Sequence, residues 1–288
     1  MSLALAAAVS YDSVLISVSL LSTALIFKLL FDENVKRISY KHLAAFGIIA
    51  FILLSIKIVY ITLLIPLVFI PKEKYEGKIT KLIKYFGIIL VIASVLFIIN
   101  KIPLMNLQRN YTEDHSAEQL QYVITNPISY IKIWLKTMLI NRNFYISGII
   151  GTFGILDTYI PTIYLVIYTI CGLAIALTDF SVCQVKFNWK YKLISIFGSI
   201  ATIFSIFLAL YIFWTWLEQG VGAEIITGVQ GRYFISIIPL AMIILSNSVL
   251  EKNKTIKSVM KIVLDNSYLV PIIMLCVTSV TIFLRFWC

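Results

Sequence analysis

Apolar stretches of about 20 residues recur along this chain, separated by short basic or glycine-rich segments. A bilayer core of about 30 Å takes roughly that many residues at 1.5 Å each, so every such stretch predicts a membrane-spanning α-helix. The pattern predicts spans at 13–31, 82–99, 161–178, 192–214, 233–250 and 267–285.

Residues 43–70 form a longer apolar run, broken only by Lys57. One straight helix over this run would be about 42 Å long, well beyond the hydrocarbon thickness. It would also put two basic groups in opposite compartments: Lys36, Arg37 and Lys41 on one side, Lys72, Lys74, Lys78, Lys81 and Lys84 on the other. A hairpin of two short helices, 43–56 and 57–70, keeps both groups on one side, which the positive-inside tendency favours. Each arm is then about 21 Å long, and the turn near Lys57 lies below the outer membrane surface.

The hairpin gives an all-α, polytopic transmembrane bundle of about eight spanning helices, read as one domain over 1–288. Cytoplasmic loops fall at 32–42, 71–81, 179–191 and 251–266. With the helix-end Lys28, Lys84 and Lys192, they hold 16 of the 24 basic residues. Both termini come out on the outer face. The longest segment between spans, 100–160, lies there too. Within it, 117–140 is amphipathic, with Pro127 as a break, and 144–160 is apolar with three glycines. These read as interfacial helix followed by a loop at the membrane edge. A second outer loop, 215–232, is short and glycine-rich.

Composition fits this solvent. Hydrophobic residues make up 60% of the chain, charged residues 13%, and the mean hydropathy is +0.95. A soluble domain has about 45–50% and 25% of these. The net charge of +10 resides largely in the short loops. No basic stripe with interleaved aromatics appears, so nucleic acid is not an expected partner. Cys171, Cys183, Cys276 and Cys288 form no C-x-x-C pair, and His42 and His115 are the only histidines. No zinc site or disulfide framework follows from that set. The first 30 residues lack a basic n-region and hold Asp12 within the apolar stretch, unlike a signal peptide.

Charges in or beside spans are costly unless paired or hydrated, so they mark candidate sites. Tyr11 and Asp12 stand where the first helix enters. Asp12 either faces an external cavity or caps the helix. Lys57 at the hairpin tip either meets a phosphate or snorkels to headgroups. In Gly228-Val229-Gln230-Gly231-Arg232-Tyr233-Phe234, glycine backbone, a Gln230 amide and the Arg232 fork read as a phosphate clamp at a helix start. The alternative is a tight loop with an Arg anchor and Tyr233 in the aromatic belt. The outer segment adds Glu113, Asp114, Glu118, Gln121 and Asp157. Asp157 is read as a sugar ligand or base, or as a cap for the following helix. No nucleotide P-loop, dinucleotide fingerprint or hydrolase triad is present.

Four pieces, in order, carry a resemblance. They are Ala8-Val9-Ser10-Tyr11-Asp12-Ser13, the Lys57 break, Gly151-Thr152-Phe153-Gly154-Ile155-Leu156-Asp157-Thr158 ahead of Pro161, and the Gln230-Gly231-Arg232-Tyr233-Phe234 motif. Together they resemble the bacterial membrane-protein family known as domain of unknown function 2142, over nearly the whole chain. That family looks like a relative of the GT-C glycosyltransferases, which move a sugar from a polyprenyl-phosphate carrier at the outer face. The resemblance implies a multi-pass protein of the inner (plasma) membrane, working in cell-surface polysaccharide assembly with a polyprenyl-phosphate sugar donor. Arg232, Gln230, Gly231 and Lys57 would hold the lipid phosphate, and Asp12, Tyr11, Asp157 and Tyr233 would line the substrate cavity. No cofactor is implied, and a divalent metal is left open. The family's acidic first outer loop has no counterpart here, so the chain is expected to be an N-terminally truncated form, with no catalytic residue assigned. A flippase or transporter for a lipid-linked sugar and a non-catalytic membrane subunit are the competing readings.

Overall fold

The computed structural model describes residues 10–32, 34–70, 74, 115–153, 158–182, 189–245 and 254–287. Helix α1 spans Tyr11–Phe31. Ser10, not Asp12, is its N-cap: the Ser10 hydroxyl accepts the Asp12 N–H at 3.2 Å. Buried positions recur every three to four residues, from Asp12 through Leu15, Ser19, Ser22, Ile26 and Leu29. The small serines on this stripe let neighbouring backbones approach, the usual packing solution in lipid.

Helix α2 spans Tyr40–Ile56. Its entry is fixed by His42, whose Nδ1 accepts the Ser39 N–H at 3.1 Å. Lys57 then turns extended, with φ −149° and ψ 100°. The chain continues as a 3-10 helix, Ile58–Phe69, where the sequence predicts an α-helical arm. Ile58, Val59, Ile61, Thr62 and Ile65 are β-branched, and Pro66 has no N–H for an α-helical ladder. Twelve residues of 3-10 helix are unusual, because the hydrogen bonds are poor. Burial offsets that here: Tyr60, Ile61, Thr62, Leu63, Leu64, Pro66 and Leu67 are all enclosed, by α1, α2 and the long helix α7 described below.

The winding also sets the length. At about 2.0 Å per residue the 3-10 arm reaches about 24 Å, close to the roughly 26 Å of α2. The two arms therefore end level. Ile38 donates its N–H to the Lys74 carbonyl at 3.0 Å. The Lys74 ammonium binds the carbonyls of Leu29 and Asp32, at 2.8 and 3.0 Å, and so neutralises the C-terminal end of α1. The run 43–70 is thus a hairpin, with Ile38 and Lys74 together at one end and Lys57 at the other.

Further along the chain, α3 (Ser116–Thr125), α4 (Pro127–Ile140) and α5 (Arg142–Ile150) follow one another. Pro127 opens α4 at its first turn, where a missing N–H costs nothing. Two two-residue strands, β1 (Thr152–Phe153) and β2 (Thr158–Tyr159), pair antiparallel, the one departure from an all-α chain among the described residues. Helix α6 runs Thr162–Val182. The long helix α7, Trp189–Gln219, is 31 residues. Its Ser195, Gly198, Ser199 and Thr202 face is small, and it receives the 3-10 arm: Thr62 donates to Thr202 across the contact at 2.9 Å. A π-turn interrupts α7 at Tyr211–Thr215. A short 3-10 segment, Gly231–Ile237, leads into α8 (Ile238–Met242) and a 3-10 turn, Ile243–Leu245. The sequence predicts a single span, 233–250, in that place. Helices α9 (Lys254–Asp265) and α10 (Leu269–Trp287) complete the described chain.

Among the described residues three helices are long and apolar enough to cross a membrane: α1, α7 and α10. Four shorter apolar helices accompany them, Ala44–Ile56, Ile58–Phe69, Thr162–Leu177 and Gly231–Leu245. The sequence-predicted span 82–99 lies outside the described residues. The core joins α1, α2, the 3-10 arm, α4, α7 and the 226–243 stretch around Tyr60, Phe207 and Tyr211. Helix α10 has no fully buried side chain among the described residues: one half-buried stripe meets α6 and β2, and the rest of its apolar surface is left for lipid.

Candidate functional site

Three charged side chains, far apart in sequence, meet at the Lys57 end of the bundle. Asp12 is placed by the first turn of α1, Lys57 by the hairpin tip, and Arg232 by the 3-10 segment after the glycine-rich loop. The Lys57 ammonium lies 3.0 Å from Asp12 Oδ1 and donates a hydrogen bond to it. Arg232 Nε lies 3.1 Å from Asp12 Oδ2, as an ion pair off the line a hydrogen bond needs. Each carboxylate oxygen thus faces its own cation.

Burial is uneven, and the difference matters. The Asp12 side chain is 5% exposed, against 23% for Lys57 and 28% for Arg232. An isolated carboxylate at that depth costs several kcal/mol, and two cations offset it. The pairing leaves one net positive charge among these three, on the groups that open outward. Aromatic rings complete the wall. The Lys57 ammonium sits 4.0 Å from the Tyr233 ring centre and 5.0 Å from that of Tyr11, both within cation–π range. Tyr60, which sequence reasoning does not single out, donates its hydroxyl to the Tyr233 carbonyl at 2.8 Å and fixes the start of the 3-10 segment.

Gly231 and Gly228 have packing roles that the sequence reading assigns to ligand approach. Gly231 crosses α5 at Gly148. A Cβ on Gly231 would overlap the Tyr145 carbonyl oxygen and lie 2.8 Å from Gly148 Cα. Gly228 has φ +78°, and a Cβ there would lie 2.6 Å from the Trp214 indole. Gln230 contributes a buried Oε1 without a hydrogen-bond partner among the described residues.

The loop 220–230 is held from above by groups that the hydropathy pattern does not flag. Gln119 Oε1 accepts the Gly222 N–H at 2.9 Å, and Thr137 Oγ1 accepts the Ile226 N–H at 3.0 Å. Trp216 donates to the Ser116 hydroxyl at 3.0 Å, and Tyr211 to the Ala223 carbonyl at 3.0 Å. The π-turn adds Thr215, which donates to the Leu210 carbonyl at 3.1 Å and accepts the Thr227 N–H at 3.2 Å. Lys136 and Glu224 form an exposed ion pair over the loop, and the Lys136 hydrogen bond and charge hold the Glu224 carboxyl below its ordinary range. Burial, together with the Tyr211 side chain, pushes the Tyr130 phenol far above the usual tyrosine range.

Asp12, Lys57, Arg232, Tyr11 and Tyr233 therefore stand together, with Gln230 and Gly231 in the adjoining backbone. Asp157, Glu113 and Asp114 lie outside the described residues. Glu118 pairs with His115 on the exposed face of α3, and Gln121 is exposed there too, both outside the cluster. No group of three or more metal-ligating side chains occurs among the described residues.

The model of one protein family, described as "Predicted membrane protein (DUF2142)", matches residues 1–241. The match includes every member of the cluster. No curated protein and no solved structure matches the chain.

Proposed function

We propose that this chain, which belongs to the DUF2142 family of predicted membrane proteins, binds the phosphate of a polyprenyl-linked sugar and acts as a glycosyltransferase-like protein in cell-surface polysaccharide assembly. One observation carries the reading: two cations converge on a buried carboxylate at one end of an apolar bundle, and a net positive charge is left facing out. A membrane-embedded protein gains little from such a cluster unless an anion meets it, because every charge in that setting is costly. The Arg232 guanidinium offers a planar fork to phosphate, and Lys57 a point charge.

Orientation supports the same reading. Lys74 meets the stretch that holds Lys36, Arg37 and Lys41, through Ile38, at the opposite end of the hairpin. By the positive-inside tendency that end faces the cytoplasm, so the cluster faces outward in the inner membrane, within a GT-C-like bundle of about eight spans. A lipid-borne substrate reaches such a site from the outer leaflet.

The test uses the full-length protein, purified and supplied with a polyprenyl-phosphate-linked sugar. Arg232→Ala should lower sugar release or transfer by about 10-fold or more, since a hydrogen bond to a charged group contributes about 1.5–3 kcal/mol. Unchanged turnover in a correctly folded Arg232→Ala protein refutes the phosphate role.

A second reading has its own support. Both oxygens of Asp12 are occupied by cations, so this carboxylate is not positioned as a base. That favours a binding protein or flippase for the same lipid-linked sugar. Proteoliposomes separate the two: a flippase moves the intact lipid across, whereas a transferase cleaves it.

A further inference from the structure

We propose that Asp12 sets the charge that the site accepts, tuning it for a singly charged phosphodiester headgroup over a phosphomonoester or diphosphate. This inference rests on the phosphate reading above and adds the class of phosphate.

The argument is one of charge count and depth. Lys57 and Arg232 alone would present two positive charges, a match for a dianion. Asp12 lies between them, 3.0 Å from one and 3.1 Å from the other, and takes up one of those charges. It is the deepest of the three, so an arriving headgroup meets the cations first and leaves the carboxylate in place behind them. A monoanion completes neutrality there. A dianion brings its second charge toward the Asp12 carboxylate, where like-charge repulsion acts at close range and low effective dielectric. The wall of the cluster agrees with this limit. The Lys57 ammonium already donates to Asp12 Oδ1 and has the Tyr11 and Tyr233 rings at 5.0 and 4.0 Å, which leaves few of its N–H directions for phosphate oxygens. Asp12 is thus a positioning and specificity residue, which acts through the two cations without touching the reacting atoms.

A diester monoanion on a lipid has two sources here, a polyprenyl-phosphate sugar and an ordinary anionic phospholipid. Binding of two probes to the full-length protein in neutral detergent, at pH about 8, measures the preference. The probes are methyl farnesyl phosphate, a monoanion, and farnesyl phosphate, a dianion. Wild type is expected to bind the diester at least as tightly as the monoester. Asp12→Asn should shift the ratio toward the monoester by about tenfold or more, the effect of one added unit of positive charge at contact. The Asp12→Asn/Lys57→Met double variant restores a single positive charge and should recover the diester preference. If Asp12→Asn is lost to aggregation, Lys57→Met alone supplies the other arm. It leaves no net charge and should lose diester binding, which the double variant regains. A wild-type preference for the monoester, a ratio unmoved in Asp12→Asn, or equal diester binding by Lys57→Met and the double variant overturns the inference while the phosphate reading survives. Absence of binding by either probe overturns both. Competition by phosphatidylglycerol identifies an ordinary phospholipid as the occupant. Its failure to compete identifies the polyprenyl chain as part of what is recognised.

Discussion

Replacing Gly231 by alanine tests whether the cation cluster depends on the backbone crossing directly beside it. The new Cβ would overlap the Tyr145 carbonyl oxygen and stand 2.8 Å from the Gly148 Cα and carbonyl carbon, where ordinary contact begins at 3.4 Å. All of these neighbours are backbone, so none can swing aside. Helix α5 and the 231–237 segment must therefore part by about 1 Å, an overpacking displacement of the kind that costs ~1–3 kcal/mol. Arg232 is the next residue, and its Nε holds Asp12 at 3.1 Å. A shift of that size takes the pair to the edge of ion-pair range. The assay is reversible unfolding in mixed micelles, with phosphate-probe binding measured beside it. Gly47→Ala is the control: no heavy atom lies within 4 Å of its Cβ position, and alanine in mid-helix is expected to add ~0.5–1 kcal/mol. Gly231→Ala should lose ~1–3 kcal/mol and weaken probe binding together. An unfolding energy within about 0.5 kcal/mol of wild type would show that the crossing yields without cost, and the reasoning would fail.

Further outcomes follow from the same contacts. Asp12→Ala leaves two cations facing each other and should destabilise by about 2–4 kcal/mol, while Lys57→Met in that background recovers part of the loss. Measured additivity of the two changes would remove the ion pair from the account. Gly228→Ala meets both the positive φ and the Trp214 indole, so it should lower the unfolding midpoint more than Gly148→Ala, whose Cβ meets Gly231 at 3.0 Å. The Thr62–Thr202 bond is buried in the bundle. A double-mutant cycle to valine should return a coupling of about 0.6 kcal/mol, the usual value for side-chain bonds in membrane bundles. Glu224 is held below its ordinary carboxyl range by Lys136. The stability it adds is present above the unfolded carboxyl pKa and fades as pH falls through the lower folded value. Lys136→Met should therefore reduce stability near neutrality by a small amount and make no difference in acid.

The membrane character and the hairpin were legible because they depend on hydropathy and on lysine placement, which are local quantities. Asp12, Lys57 and Arg232 stood out for a related reason: a charge within apolar sequence is conspicuous. Their meeting at one end of the bundle followed from the predicted topology, but their ion pairing did not, since 45 residues separate the first two and the third lies far beyond both. The 3-10 arm escaped notice because Ile58–Phe69 is almost wholly apolar, and the lone Thr62 gives no repeat from which to read a period of 3.0 against 3.6. Pro66 and the β-branched residues were its local signals. Gly231 shows a different gap. Glycine admits close approach, and the sequence does not say whether the neighbour is a ligand or another helix. Gln119, Thr137 and Thr215 were unremarkable in sequence because their work is to accept backbone N–H groups from a distant loop.

The hairpin also constrains how the chain enters the bilayer. Its two arms are about 26 and 24 Å, each short of the hydrocarbon core, so neither crosses comfortably alone. In the proposed orientation they are best inserted as a pair, with Lys57 carried through first. A lysine at mid-membrane costs about 2.5–3.5 kcal/mol on insertion scales. Asp12 is synthesised 45 residues earlier and sits at the first turn of α1, where Lys57 must arrive. In that orientation the counter-charge is made before the charge that needs it, so Lys57 can meet Asp12 as soon as the hairpin inserts.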